Sequence, residues 1–323
     1  MTESVTAWAA PVPTIDWARL GHVYAVANGK GGVGKTTTTA NIGALVASDG
    51  APTLIIDLNG QGNIAHLLGF ANSELDDHGR GLFGAITGGA PLRPVRGVRD
   101  NLDVIPGGPF VRRISAAVAG DLMSQESAPS VLLSLADSLQ RIAHNYQLII
   151  IDTPPENPLL LELALCAARF IVVPMKTELM SQFGLRELAG EIRKMREFNE
   201  YLMLLGVFAF ASGTSATKVR KEMTDQIARD LGADNDVMMS AFIRHSEAVA
   251  NDMTKYGRVA HELEQEIANN PKYWELRSGT AKSTAVVSST SKPVARDFAK
   301  LAKEILTRAS ARRAEMIEQG VWP

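Results

Sequence analysis

The sequence predicts an α/β domain in which a doubly wound, mostly parallel β-sheet is flanked by helices. Three observations carry that expectation. Short apolar runs such as residues 52–57 and 147–152 end abruptly on an acid, the pattern of strands buried on both faces. Stretches of helical periodicity separate these runs, so strand and helix alternate along most of the chain. Between the first run and the first helical stretch lies Gly29-Lys30-Gly31-Gly32-Val33-Gly34-Lys35-Thr36, a glycine-rich connection suited to phosphate.

Taken in order, residues 1–20 lack a pattern and read as an N-terminal extension. Thr14, ahead of Ile15-Asp16-Trp17, is placed to cap one helical turn, and Trp8 and Trp17 read as surface-packing aromatics. A strand is expected at 23–27, a helix at 37–47 and a strand at 52–57. Residues 71–100, rich in Gly, Asp and Arg, should wander over the surface with one short helix at 82–86. A strand at 102–107 precedes helical stretches at 111–123 and 130–145; the second carries Val131, Leu132, Leu135, Leu139 and Ile142 at helical spacing. The strand at 147–152 is closed by Thr153-Pro154-Pro155. Further strands are expected at 170–174, 204–210 and 237–243, with an amphipathic helix at 178–198 and a charged helix at 255–268. Residues 269–292, with a serine-rich tract at 283–291, read as an inserted loop. Pro293 then opens a helix whose Phe298, Leu301, Ile305 and Leu306 form one stripe. The expected division is 1–20, 21–262 (the nucleotide-binding domain), 263–292 and 293–323.

Composition narrows the function classes. The 323 residues are 46% hydrophobic with a net charge of −2, so nucleic-acid contact must come from a local patch. Cys166 is the single cysteine, which excludes an intrachain disulfide and a cysteine pair for an iron–sulfur cluster. No stretch reaches the roughly 18 apolar residues of a spanning helix, and no secretory leader is visible, so a cytoplasmic protein is expected.

The glycine-rich stretch matches G-x-x-x-x-G-K-[ST] at every fixed position, between a strand and a helix as the motif requires. Its glycines let successive backbone N–H groups converge on a polyphosphate at the positive end of the following helix. Gly29, Lys30, Gly31, Gly32, Val33, Gly34, Lys35, Thr36 and Thr37 are therefore the expected ATP-binding residues. Lys35 should lie along the β- and γ-phosphates, and Thr36 should ligate Mg²⁺. Asp152 ends a Walker B-like strand and should hold Mg²⁺ through water. Asp57 ends another strand and faces the nucleotide, because ligands collect at strand carboxyl ends in open α/β sheets, and it is expected with Thr36 and Asp152 among the Mg²⁺ ligands.

Residues 30–36, K-G-G-x-G-K-[ST], resemble the deviant Walker A family of P-loop NTPases: ParA partition ATPases, MinD-like regulators and the nitrogenase iron protein. The resemblance implies that Lys30 crosses a homodimer interface to the partner's ATP and adds positive charge there. Residues 57–63 resemble the family's D-x-D-P-Q-G-N switch, with Asn59 for the second Asp and Gly60 for the Pro. Where the family's carboxylate polarises the attacking water, Asn59 can only orient it, and Gln61 can assist. Lys30, Lys35, Asp57, Asn59 and Gln61 are thus the expected catalytic set, with slow hydrolysis. Residues 211–214 stand where the family has part of its adenine pocket, and Arg244–Ala248 resembles R-x-S-E-A. The implied function is a ParA-like ATPase for plasmid or chromosome partition: an ATP-dependent homodimer, nucleoid-associated, that binds double-stranded DNA nonspecifically and answers to a ParB-like centromere-binding protein. Arg244, Lys218, Arg220 and Lys221 are the expected DNA contacts, supported by Lys292, Arg296, Lys300, Lys303, Arg308, Arg312 and Arg313 on the last helix. Competing readings are a MinD-like positioning ATPase, which needs a free apolar face for the membrane, and a non-hydrolysing nucleotide-gated DNA-binding module. A biosynthetic ligase on the same fold is disfavoured by Lys30.

Overall fold

The computed structural model describes residues 11–155, 157–176, 180–213, 221–225, 227, 237–271, 274, 277 and 286–323, without the side chains of 180–185. Seven strands form one sheet: β1 (Val23–Val26), β2 (Thr53–Asp57), β3 (Val95–Arg99), β4 (Leu102–Ile105), β5 (Leu148–Asp152), β6 (Phe170–Met175) and β7 (Met203–Ala209). Their order is β3-β4-β2-β5-β1-β6-β7. Every pairing is parallel except β3 with β4. The strand order reverses about β1, so the crevice beyond its carboxyl end is where a ligand belongs. All residues of β1, β2, β5 and β6 are buried, which explains their unbroken apolar runs.

Helices cover both faces. One apolar layer packs Ala128–Gln140, Pro158–Ala167 and the far end of Met180–Met195 against Ile56, Ile149, Ile151 and Val173. The other packs Lys35–Ser48, Glu247–Tyr256, Ala260–Glu266 and Ser291–Glu318 against Ile55, Ile150 and Val172. Asn41 is a buried polar bridge in this second layer: its Oδ1 accepts from the Ala260 N–H at 2.8 Å and its Nδ2 donates to the Thr37 carbonyl at 2.7 Å. At the pole away from the strand carboxyl ends, the buried Arg169 guanidinium is sandwiched between Tyr201 and Trp322, 4.8 and 4.5 Å from the ring centroids. It also donates to the Trp17 carbonyl, tying both ends of the described chain to the sheet.

Several expectations need correction. Residues 237–243 do not form a strand. They run beside β7 through Met239 N–H to Val207 O (2.7 Å) and Ile243 N–H to Ala209 O (2.9 Å). Ladder formation stops because the Ser240 and Ala241 amides both turn to the Glu304 carboxylate. Residues 95–99 pair as an edge strand where only surface chain was expected, and 111–123 break into three short turns. The charged helix expected at 255–268 is two helices: Glu247–Tyr256, where the Ser246 hydroxyl caps the Val249 amide and Gly257 (φ +60°) ends the helix, and Ala260–Glu266 beyond the break. Leu263 is fully buried, so the chain from 263 to the short turn Ile267–Asn269 belongs to the packed body rather than to an insertion. The Asn270 amide exchanges two hydrogen bonds with the Val287 backbone, pinning together the ends of the intervening stretch. The expected cap at Thr14 is absent. The short turn Trp17–Leu20 follows Asp16, whose carboxylate instead takes the Arg19 guanidinium at 3.0 Å. Trp8 lies outside the described residues.

Candidate functional site

The carboxyl ends of β1, β2, β5, β6 and β7 open into a cavity of about 1380 Å³. Its floor is the loop between β1 and the helix Lys35–Ser48. Asn28, buried after β1, sets the loop's entry: its Nδ2 donates to the Pro174 carbonyl at 2.8 Å and its Oδ1 accepts from the Lys30 N–H at 2.9 Å. Gly32 and Gly34 adopt φ of +70° and +90°, which L side chains rarely reach. A Cβ on Gly34 would lie 2.3 Å from the Phe210 ring, so glycine also makes room for that aromatic.

Lys35 is nearly enclosed, and its ammonium donates to the Lys30 carbonyl at 2.6 Å. Burial pulls its pKa down to about 8, against the raising effect of Asp152. Lys30 differs: its backbone is tied on both sides, while its ammonium has no hydrogen-bond or ion-pair partner among the described residues. The Thr36 hydroxyl donates to Asp152 Oδ2 at 2.6 Å. Asp152 Oδ1 is buried with no partner, an orphaned acceptor beside a hydroxyl, which fits a divalent cation held by Thr36 and Asp152.

Asp57 lies opposite Asp152 in the β2–β5 register, and both are fully buried. Burial raises the pKa of each, and Asp57 is raised further by the neighbouring carboxylate. The Asp57 oxygens already accept the N–H groups of Asn59 (2.8 Å) and Ile64 (3.2 Å). It therefore braces the loop that follows β2, a role that the expectation of a metal ligand did not include. Asn59 Oδ1 accepts the Gln61 N–H at 3.0 Å, and the Asn59 carbonyl accepts from Gly62 and Gly108. Asn59 and Gln61 both line the cavity. Gly107 fits so closely that a Cβ there would be 2.5 Å from the Asn59 carbonyl oxygen.

The far wall is Phe210, Ala211, Ile243, residues 244–247, Val249 and Met253. Ala211 thus stands where the adenine loop was expected, while Thr214 lies outside the described residues. Sequence reasoning missed Phe210, Arg112 and Lys176, all of which line the cavity. Only the position of Phe210 and Lys176 at strand carboxyl ends could have pointed to them; Arg112 carries no local signal.

Of the expected DNA contacts, Lys218 and Arg220 lie outside the described residues, and Lys221 is exposed. Arg244 is engaged within the chain: Nε and Nη2 donate to the two oxygens of Asp297 at 2.6 and 2.9 Å, and its N–H adds a third bond at 3.1 Å. It borders a second hollow of about 620 Å³ lined also by Lys300, Lys303, Glu304 and Arg308. Arg308 donates to Glu304 and Met238, and Arg312 pairs with Glu315. Lys292, Arg296, Lys300 and Lys303 are exposed.

A family model described as an AAA domain matches residues 21–204. The sporulation initiation inhibitor protein Soj of Bacillus subtilis is 32% identical over 191 residues, 58% of this chain and 72% of that protein. The chain belongs to the ParA/MinD superfamily of partition ATPases. Among solved structures, an ATP complex of McdA from Cyanothece aligns over 88% of this chain and 96% of that one, at 18% identity and a TM-score of 0.66, a likeness of fold. A protein described as cobyrinic acid a,c-diamide synthase from Mycobacterium smegmatis, solved with an ATP analog and magnesium, is 27% identical over 63% of this chain and 78% of that chain, with a TM-score of 0.54. Members of this superfamily bind nucleotide and Mg²⁺. No helix among the described residues is long and apolar enough to cross a membrane.

Proposed function

We propose that this chain is a partition-type ATPase that binds Mg-ATP, pairs with a second copy of itself, binds DNA nonspecifically in that state, and is released by a ParB-like partner. The observation that carries this reading is the division of labour between two lysines on one loop. Lys35 is aimed into its own chain's cradle, whereas the Lys30 ammonium, on the loop that floors the cavity, is unused by its own chain among the described residues. A cation so held adds most where phosphate charge from another copy approaches it.

In this reading the loop amides and Lys35 would hold the triphosphate, and Thr36 and Asp152 would hold Mg²⁺, whose charge would offset that of the phosphates. Asp57 braces the switch rather than reaching the metal. Asn59 and Gln61 orient the attacking water, and the absence of a carboxylate at 59 makes hydrolysis slow. Phe210 offers an aromatic face to the base. DNA phosphates meet Lys221, Lys300 and Lys303, with Arg244 contributing where Asp297 leaves it accessible. The MinD-like reading gains less support, because Val294, Phe298, Leu301 and Ile305 are buried against the body rather than offered to lipid.

The test is sedimentation of the purified chain with saturating Mg-ATP. Wild type should dimerise, and Lys30→Ala should bind ATP yet stay monomeric. A wild-type monomer, or a Lys30→Ala dimer of unchanged strength, would remove the reading.

A further inference from the structure

We propose that Arg112 binds the terminal phosphate of the nucleotide within its own chain, and that it can do so because residue 60 is glycine. The inference rests on the nucleotide-binding reading above and assigns a further residue to that site.

Arg112 lines the same cavity as Gly32, Lys35, Thr36, Asn59 and Gln61. Its stem crosses directly over Gly60: a Cβ at 60 would lie 2.3 Å from Arg112 Cγ and 2.9 Å from Nε. Residue 60 is where this chain departs from the proline of the switch motif, and any side chain there would occupy the path of the arginine. Gly60 has no left-handed φ, so its backbone does not require glycine; the space for Arg112 does.

The anchoring is firm on the backbone side and open at the tip. Val111 and Ile114 are fully buried, the Val111 N–H donates to the Gly108 carbonyl, and the Gly108 N–H donates to the Asn59 carbonyl at 3.0 Å. The segment bearing Arg112 therefore moves with the switch. Its neighbours are spoken for: the guanidinium groups of Arg80 and Arg113 sit 4.7 and 4.8 Å from the Phe110 ring centroid. Arg112 alone of these three has neither hydrogen bond, ion pair nor ring contact among the described residues. Asn59, which lines the same cavity, is neutral, so residue 59 adds no carboxylate to that wall. An unpaired guanidinium at this cavity offers the forked geometry that matches a phosphate. Because Arg112 enters the cavity across the switch glycine rather than from the β1 loop, the terminal phosphate is its expected partner, a group that ADP lacks.

The experiment is equilibrium titration of the full chain with a non-hydrolysable ATP analogue and, separately, with ADP. Arg112→Ala should weaken the analogue by about tenfold or more, as loss of a charge-assisted phosphate contact does, and ADP by much less. Arg112→Lys should recover part of the difference. Gly60→Ala, which pushes the arginine aside, should reproduce it, and the double variant should be no worse than either single one. Equal loss for both nucleotides in Arg112→Ala would mean a scaffolding role and overturn the proposal. So would unchanged discrimination in a chain whose wild type binds both. A wild type that binds neither nucleotide would remove the proposed function itself.

Discussion

Replacing Asn59 with aspartate tests how this site treats the attacking water. Asn59 is 9% exposed; its N–H is held by Asp57 and its Oδ1 by the Gln61 amide. Its Nδ2 has no partner among the described residues. Aspartate keeps both existing contacts and puts a carboxylate oxygen where Nδ2 now stands. A positioned general base contributes about 10²–10⁴-fold in favourable cases. Phosphoryl transfer leans more on positioning and charge, so about tenfold to a hundredfold is the expected gain here. The substitution also adds a third acid beside Asp57 and Asp152. Two unit charges about 6 Å apart at an effective dielectric of about 20 repel by about 3 kcal/mol. Burial holds both neighbours toward their neutral forms, so the nucleotide-free variant should lose about 1–2 kcal/mol of that. Phosphate release at saturating Mg-ATP reads the first effect and urea unfolding without nucleotide the second. A rate unchanged or lower in Asn59→Asp, with binding intact, would refute the argument that the amide is what slows this site.

Other expectations follow from single contacts. Gly34→Ala sets a Cβ into the Phe210 ring at a left-handed φ and should abolish nucleotide binding, measured by titration, while circular dichroism stays that of the wild type. Lys300→Ala with Lys303→Ala should weaken ATP-dependent DNA binding and lower the slope of log affinity against log salt by about 2, since each phosphate contact contributes about 1. Arg244→Ala is the poorer probe of DNA, because it strands Asp297, which is 6% exposed, and should cost about 2–4 kcal/mol in urea unfolding. His22 is half-buried, and its ring meets the Ala143 carbonyl at 3.0 Å; desolvation lowers its pKa below the ordinary value of 6.5. The unfolded chain then binds more protons, so stability falls as pH drops below 6.5 toward the folded pKa. His22→Gln should flatten the pH dependence of the unfolding free energy there by up to about 1.4 kcal/mol per pH unit, and an unchanged slope would count against a neutral imidazole held in the fold.

What could be read from the chain divides along physical lines. Strands buried on both faces announce themselves, and β1, β2, β5 and β6 fall where unbroken apolar runs were read, with β4 and β7 also near their expected places. The glycine-rich loop was legible because two of its glycines answer to backbone geometry, local in sequence. The segment at 237–243 misled because its apolar residues are buried without a ladder: what stops the ladder is Glu304, more than sixty residues away. β3 was missed because an exposed edge strand with Arg96 and Gly97 carries no burial pattern. Asp57 was placed correctly at its strand end, but its two amide partners lie in the loop it shapes. Arg112 was invisible for the same reason as Glu304: its meaning depends on which glycine it crosses.

Arg244 borders both hollows, its side chain forming part of the wall between the nucleotide cavity and the lysine-lined hollow on the last helix. Asp297 holds it there with three bonds from a helix that also packs on Lys35–Ser48, the helix that opens at the phosphate loop. A displacement of residues 243–247 by an occupied cavity would therefore load the Arg244–Asp297 pair before it reached any lysine. Coupling between two sites requires an element with two arrangements that both ligands bias. The Arg244–Asp297 pair is where such a bias would act, since its three bonds join the cavity wall to the last helix. On the proposed DNA-binding reading, Arg244 would therefore act on the hollow where Lys300 and Lys303 stand through its pairing with Asp297 rather than by contacting phosphate itself.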